Sequence, residues 1–161
     1  MIIIAHRGNL TGSNPYMENR PEYIDQAIEQ GYNCEVDVWY HLEKGLMLGH
    51  DEPLYSIELD WLWRRSSKLW IHCKNLDALG FLSRTGQTLN YFWHEKDTCT
   101  LTSKHWIWCY PGVQAPAGYQ TVAVMPESQE NFGPLDSFKA ICTDNAIDFN
   151  KVRTNDKTDL I

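Results

Sequence analysis

This chain of 161 residues lacks long apolar runs, clusters of basic residues and paired cysteine motifs. No stretch approaches the roughly 20 apolar residues needed to cross a bilayer, so no stable membrane insertion is expected. Lys and Arg form no run, and the formal net charge is −7. Such a chain repels a phosphate backbone, which argues against nucleic acid as a general partner. The five cysteines, Cys34, Cys73, Cys99, Cys109 and Cys142, are odd in number and include no Cys-x-x-Cys pair. Four of them fall in strand-like segments, which reads as reduced, buried thiols in a cytoplasmic protein. No basic leader followed by an apolar stretch is visible, so no secretory signal is expected. Linkers, repeats and low-complexity tracts are also missing, and residues 1–161 read as a single domain.

Hydrophobic residues make up 43% of the chain and seven are Trp, enough for a packed core. Short apolar strands alternate with helical or loop segments. Strands are predicted at 2–5, 33–39, 69–73, 91–94, 106–110, 121–125 and 140–143, with a hairpin over 42–49. Asn19 is placed to cap a helix with Pro21 in its first turn and Gly31 as its stop. Further helices are predicted over 57–65 and 76–84. Alternation of this kind predicts a parallel sheet with crossover connections. Seven core strands plus a hairpin, with connections after Glu95 too short for full helices, predict an α/β fold. It is an abbreviated TIM-type (β/α) barrel whose outer helices are shortened or missing in the second half. The bare strand faces would then need cover from Trp-rich loops or from a second subunit, as in a homodimer.

A protein this acidic needs a local device to handle a phosphate ester, either a bound cation or a few placed cationic side chains. Glu35 and Asp37 are two apart on a predicted strand and so share a face. Side-by-side carboxylates repel each other and resist burial, and a divalent cation relieves both problems. The plain alternative is that they face solvent and pair with Lys or Arg. Cys34, Val36 and Val38 form the opposite, apolar face, which turns the carboxylates toward the barrel interior. His72 and Lys74 repeat this geometry on the next strand. His72 is either a third metal ligand or a hydrogen-bonded core histidine, and Lys74 offers a fixed charge for a phosphate. His6 and His50 suit general acid–base work, and Arg7 presents a planar fork to phosphate oxygens. Taken alone, His50 would be an ordinary loop residue.

The ordered set His6-Arg7-Gly8, Glu18-Asn19, Glu35-Val36-Asp37, His50-Asp51 and His72-Cys73-Lys74 resembles the glycerophosphodiester phosphodiesterase family. A fainter echo lies at Ala140-Ile141-Cys142-Thr143-Asp144, like the family's closing strand. The resemblance implies a TIM-barrel-type fold and a small-molecule phosphodiester as substrate. It makes His6 and His50 the acid–base pair, with Glu35 and Asp37 on a divalent cation (Mg, Ca, Mn or Zn). It also puts Arg7 on the phosphate and Asn19 in the substrate loop as site support. The chain departs from the family at His72-Cys73-Lys74, where Glu-x-Lys is usual, and an imidazole there favours Mn, Zn or Fe.

In the second half, Trp106, Trp108 and Tyr110 share one strand face. They either pack as core or wall a pocket for a sugar, glycerol or base. His94 and Asp97 are either leaving-group residues or surface. Three functions are compatible with the sequence: phosphodiester hydrolysis, a phospholipase-like lyase or transferase reaction on the same fold, and phosphate-ester binding without turnover.

Overall fold

A computed structural model of the chain describes residues 1–85, 87–111, 113, 119–128 and 134–155. Ten strands and four α-helices are found among them. The strands are β1 (Ile2–His6), β2 (Asn33–His41), β3 (Gly45–Leu48), β4 (Tyr55–Ile57), β5 (Leu69–Cys73), β6 (Asn90–Phe92), β7 (Cys99–Leu101), β8 (Ile107–Cys109), β9 (Thr121–Val124) and β10 (Ala140–Thr143). The helices are α1 (Pro21–Glu29), α2 (Leu59–Arg64), α3 (Leu76–Thr85) and α4 (Ala146–Asn155).

All ten strands belong to one sheet. Its central path runs β6-β5-β2-β1-β10-β9-β8 with every neighbour parallel. At one end β7 pairs antiparallel with β8. Strand β2 is long enough to outrun β1, and the β3–β4 hairpin pairs antiparallel with its far end. The sheet is curled. Its two limits, β6 and β7, share no ladder among the described residues, but Ser103 reaches across from just past β7. Its backbone N–H donates to Tyr91 O at 2.8 Å, and its hydroxyl donates to Leu89 O at 3.0 Å.

The two faces of the sheet carry separate cores. On the convex face, Ile3 and Ala5 of β1 and Cys34, Val36 and Val38 of β2 pack against Ile24 and Ala27 of α1 and Ala78 and Leu82 of α3. On the concave face, Ile4, Trp70, Phe92, Trp108, Val122, Val124, Ala140 and Cys142 meet. The period-2 alternation of the strands therefore sends one residue to the helices and the next to the interior. Trp106 and Trp108 are core residues around Trp70, with ring centroids 5.1 and 6.1 Å away. They face inward, so they are not the cover for the bare strands. That cover comes from Phe138, Leu135, Val113 and Phe149, which pack over Cys109, Ala123 and Ile141. Between β9 and β10 the described chain makes two 3-10 turns and no α-helix.

Local signals explain most of the elements, with three corrections. Pro21 opens α1 as expected, but the cap position is Arg20 with no side-chain bond. Asn19 does not cap the helix because its amide is committed elsewhere, as shown below. Ile57 starts no helix. It pairs with Leu46 in β4, and α2 begins only at Leu59. Asn75 is the unforeseen cap of α3. Its Oδ1 accepts the Ala78 N–H at 3.0 Å while its amide donates to Tyr40 O at 2.9 Å, tying the helix to β2. Among the described residues no helix is long and apolar enough to cross a membrane.

Candidate functional site

Parallel pairing brings the carboxyl ends of β1, β2, β5 and β10 to one rim. The register places His6 beside Glu35, Asp37 beside His72, and Ala5 beside Thr143. Neighbours in register share a face, so His6, Glu35, Asp37 and His72 all project to the concave side. A cavity of about 480 Å³ opens there, lined by His6, Arg7, Glu35, His50, His72 and Lys74, with Trp93, His94 and Tyr110 on its far wall.

Asp37 is the most contacted group. It is 1% exposed and lies 3.1 Å from Arg7 Nε, 3.4 Å from Lys74 Nζ and 3.2 Å from His72 Nδ1. Burial alone would raise its pKa, but His72, Lys74 and Arg7 together hold the carboxyl well below the usual range. Glu35, also buried, has no such cation. His6 Nε2 and His72 Nδ1 each stand 4.0 Å from one of its oxygens. Burial and the neighbouring charge of Asp37 push its pKa up.

The sequence-predicted residues come together with one change of role. Asn19 lies beneath Asp37, 1% exposed, and not toward the cavity. Its Nδ2 donates to Asp37 Oδ2 at 2.8 Å and its Oδ1 accepts the Asp37 N–H at 2.9 Å. Both ends of the amide are used, so Asn19 fixes the carboxylate. Arg7 and Asn19 both adopt positive φ, 52° and 62°. Such backbone strain in non-glycine residues concentrates where a side chain must be held in an unusual direction. Arg7 Nη1 donates to Glu18 Oε2 at 3.0 Å, and Glu18 in turn accepts from Asn9 and Ser13 at 2.9 and 2.8 Å.

His50 arrives from the β3–β4 loop. The preceding Gly49 has φ 147°, and its carbonyl accepts from Trp39 Nε1 at 2.6 Å. A Cβ on Gly49 would stand 2.0 Å from the Glu52 carbonyl, so only glycine fits. His50 Nδ1 lies 2.6 Å from Asp51 Oδ1. Burial presses its pKa below the ordinary imidazole value.

Sequence reasoning passed over Asp144 as a site residue. It follows β10, and because β10 pairs with β1 its Oδ1 lies 2.8 Å from His6 Nδ1. Asn9 Nδ2 donates to the same oxygen at 2.8 Å. Glu127 holds the loop behind, accepting from Asp144 N–H at 2.8 Å and the Thr143 hydroxyl at 2.6 Å. Burial by itself would lower the pKa of His6, but the bond to Asp144 and the charge of Glu35 outweigh it and move the pKa up. The available signal was the Thr-Asp ending of a strand predicted at the same rim.

Glu35, Asp37 and His72 each offer one donor atom, all within 4.8 Å of one another. Glu35 Oε2 is buried without a hydrogen bond, a costly state that a cation relieves, whereas Asp37 Oδ1 already lies 3.2 Å from His72 Nδ1 and 3.4 Å from Lys74 Nζ. Four carboxylates (Glu18, Glu35, Asp37, Asp144) stand around the site with two fixed cations, Arg7 and Lys74, so acidic groups are in excess. The donor set and the charge both fit one divalent ion. The chain matches no family model, and no curated protein or solved structure is significantly similar to it.

Proposed function

We propose that this protein is a divalent-cation-dependent phosphodiesterase of the glycerophosphodiester phosphodiesterase kind, built on a shortened TIM-type barrel. One observation carries the reading. Two imidazoles, two cations, Glu35 and His72 face one cavity at the carboxyl ends of parallel strands, and buried Asp37 behind them completes a set of three donor atoms within 4.8 Å of one another. This is the position where barrel enzymes assemble their sites.

Arg7 and Lys74 orient the phosphate. Arg7 donates Nη1 to Glu18, and its Nε lies 3.1 Å from Asp37 as an ion pair without a hydrogen bond, which leaves Nη2 for a phosphate oxygen. Glu35, Asp37 and His72 would hold a divalent cation, which would supply neutralisation of the phosphate charge. His6 and His50 each have Nδ1 occupied by a carboxylate, so Nε2 of each ring is the atom that exchanges a proton with substrate. One imidazole takes the proton of the attacking oxygen, of water or of a neighbouring substrate hydroxyl, and the other protonates the leaving alkoxide. Trp93, His94 and Tyr110 form the wall that meets the alcohol group.

A metal-by-substrate screen tests this reading. Glycerophosphodiesters, nucleotide-linked polyols and a chromogenic diester are each assayed with Mg, Ca, Mn and Zn. Turnover that depends on metal and drops by about two to four orders of magnitude in His6→Ala and His50→Ala is the expected result. A specific observation favours one second reading, phosphate-ester binding without turnover: Arg7 and Lys74 are both already paired to Asp37. Binding of a diester with no product under any of the four metals would select it.

A further inference from the structure

The cysteines divide into two groups. Cys34, Cys73 and Cys142 are fully buried in β2, β5 and β10. Cys99 and Cys109 stand directly opposite each other across the antiparallel β7–β8 pair, with their Sγ atoms 3.6 Å apart. The hydrogen bonds flanking them fix the kind of position this is. Tyr110 N–H donates to Thr98 O, and Thr102 N–H donates to Trp106 O, both at 2.8 Å. Hydrogen-bonded pairs alternate along an antiparallel ladder, so 98 with 110 and 102 with 106 are bonded pairs and 99 with 109 is a non-bonded one. Non-bonded pairs hold their Cα atoms about 4.5 Å apart, inside the range a disulfide spans.

We propose that Cys99 and Cys109 are a reversible disulfide site, formed by exchange with a small-molecule disulfide and stapling the edge strand β7 to β8. Cys99 is partly exposed and Cys109 is buried, so the order of reaction follows. The Cys99 thiolate attacks the small disulfide, forms a mixed disulfide and releases one thiol. The Cys109 sulfur then attacks Cys99 Sγ, gives its proton to solvent and expels the second thiol. Two protein thiols are oxidised to one disulfide while the small disulfide is reduced to two thiols. Burial and the neighbouring Cys99 push the Cys109 thiol up to about 12, in keeping with its acting second. A bond at the sheet edge, reached through a half-exposed sulfur, belongs to the reducible class. Trp108 and Tyr110 flank Cys109 and line the cavity, so the staple fixes that wall. The inference stands on the ladder geometry alone and does not depend on the phosphodiesterase reading.

The test incubates the whole chain with excess glutathione disulfide, then quenches, denatures, labels free thiols and maps peptides without reduction. The expected result is an intramolecular Cys99–Cys109 link, with labelled thiols falling from five to three and full recovery after dithiothreitol. Cys109→Ser is expected to stop at a glutathione adduct on Cys99. Three results in the wild-type chain would each overturn the proposal: five thiols still labelled, a lasting adduct on Cys99 without the internal link, or an intermolecular dimer in its place. The wild-type map decides the matter even if a variant fails to fold.

Discussion

Glu35 separates a metal site from a structural ion cluster by the sign of one substitution. Glu35→Gln keeps the shape of the side chain and removes its charge. Without metal, that charge is buried, lies near Asp37 and has one oxygen with no donor. Relief of an unsatisfied buried group is worth about 1–3 kcal/mol, so with EDTA present the variant is expected to melt at or above wild type. For a chain of this size about 2–4 °C accompanies each kcal/mol. With metal present the order reverses. At one hundred times its dissociation constant a ligand stabilises by about 2.7 kcal/mol, which raises the wild-type midpoint by roughly 5–11 °C and leaves the variant nearly unmoved. Thermal denaturation with EDTA and then with Mg, Ca, Mn or Zn gives both readings. The reasoning fails if Glu35→Gln melts lower than wild type in EDTA and none of the four metals shifts the wild type.

Asp144→Asn keeps the contact to His6 but reverses the polarity of one of its atoms. The rate is expected to fall by roughly 10²- to 10⁴-fold with KM little changed, measured by steady-state kinetics on whichever diester the screen identifies. Gly49→Ala forces the Glu52 carbonyl away and carries His50 with it. The expected cost is about 1–3 kcal/mol in stability together with a rate loss like that of His50→Ala, read by chemical denaturation and turnover. Burial, with a further push from His72, lowers the pKa of His94 to about 4. The folded imidazole therefore resists protonation while the unfolded one titrates near 6.5. Between those values the unfolded state binds more protons, so stability is lost as pH falls from about 6.5 to about 4. The full gap converts to about 3 kcal/mol, which solvent screening reduces to ~1–2 kcal/mol. Denaturation against pH in EDTA is expected to show this slope in wild type and a flatter one in His94→Gln.

What the sequence disclosed was local in origin. In β2 the apolar residues Cys34, Val36 and Val38 alternate with Glu35 and Asp37, so strand, buried face and shared carboxylate face could be read together. The same alternation placed His72 and Lys74. Asp144 escaped because its role depends on β10 lying beside β1, a pairing across 138 residues that no local pattern encodes. Asn19 read as a cap because it precedes Pro21. Its positive φ turns the amide to Asp37, and that turn is set by the Asn19 N–H donating to Arg7 O at 3.2 Å. Strand β7 was missed because three residues, two of them polar or small, give too short a pattern. Ile57 was assigned to a helix because its partner Leu46 lies in a hairpin whose extent the sequence leaves open.

The placement of β10 between β1 and β9 bears on how the molecule is made. During synthesis β1 emerges first but has an unfilled edge until residue 140 has left the ribosome, and until then β7, β8 and β9 can pair only with one another. Every other strand of the path is present before β10, so a nascent chain stopped short of β10 holds two ladders joined through contacts such as those of Ser103 with Tyr91 and Leu89. His6 gains its partner only at the end of that process. The His6–Asp144 contact and completion of the sheet therefore coincide in time.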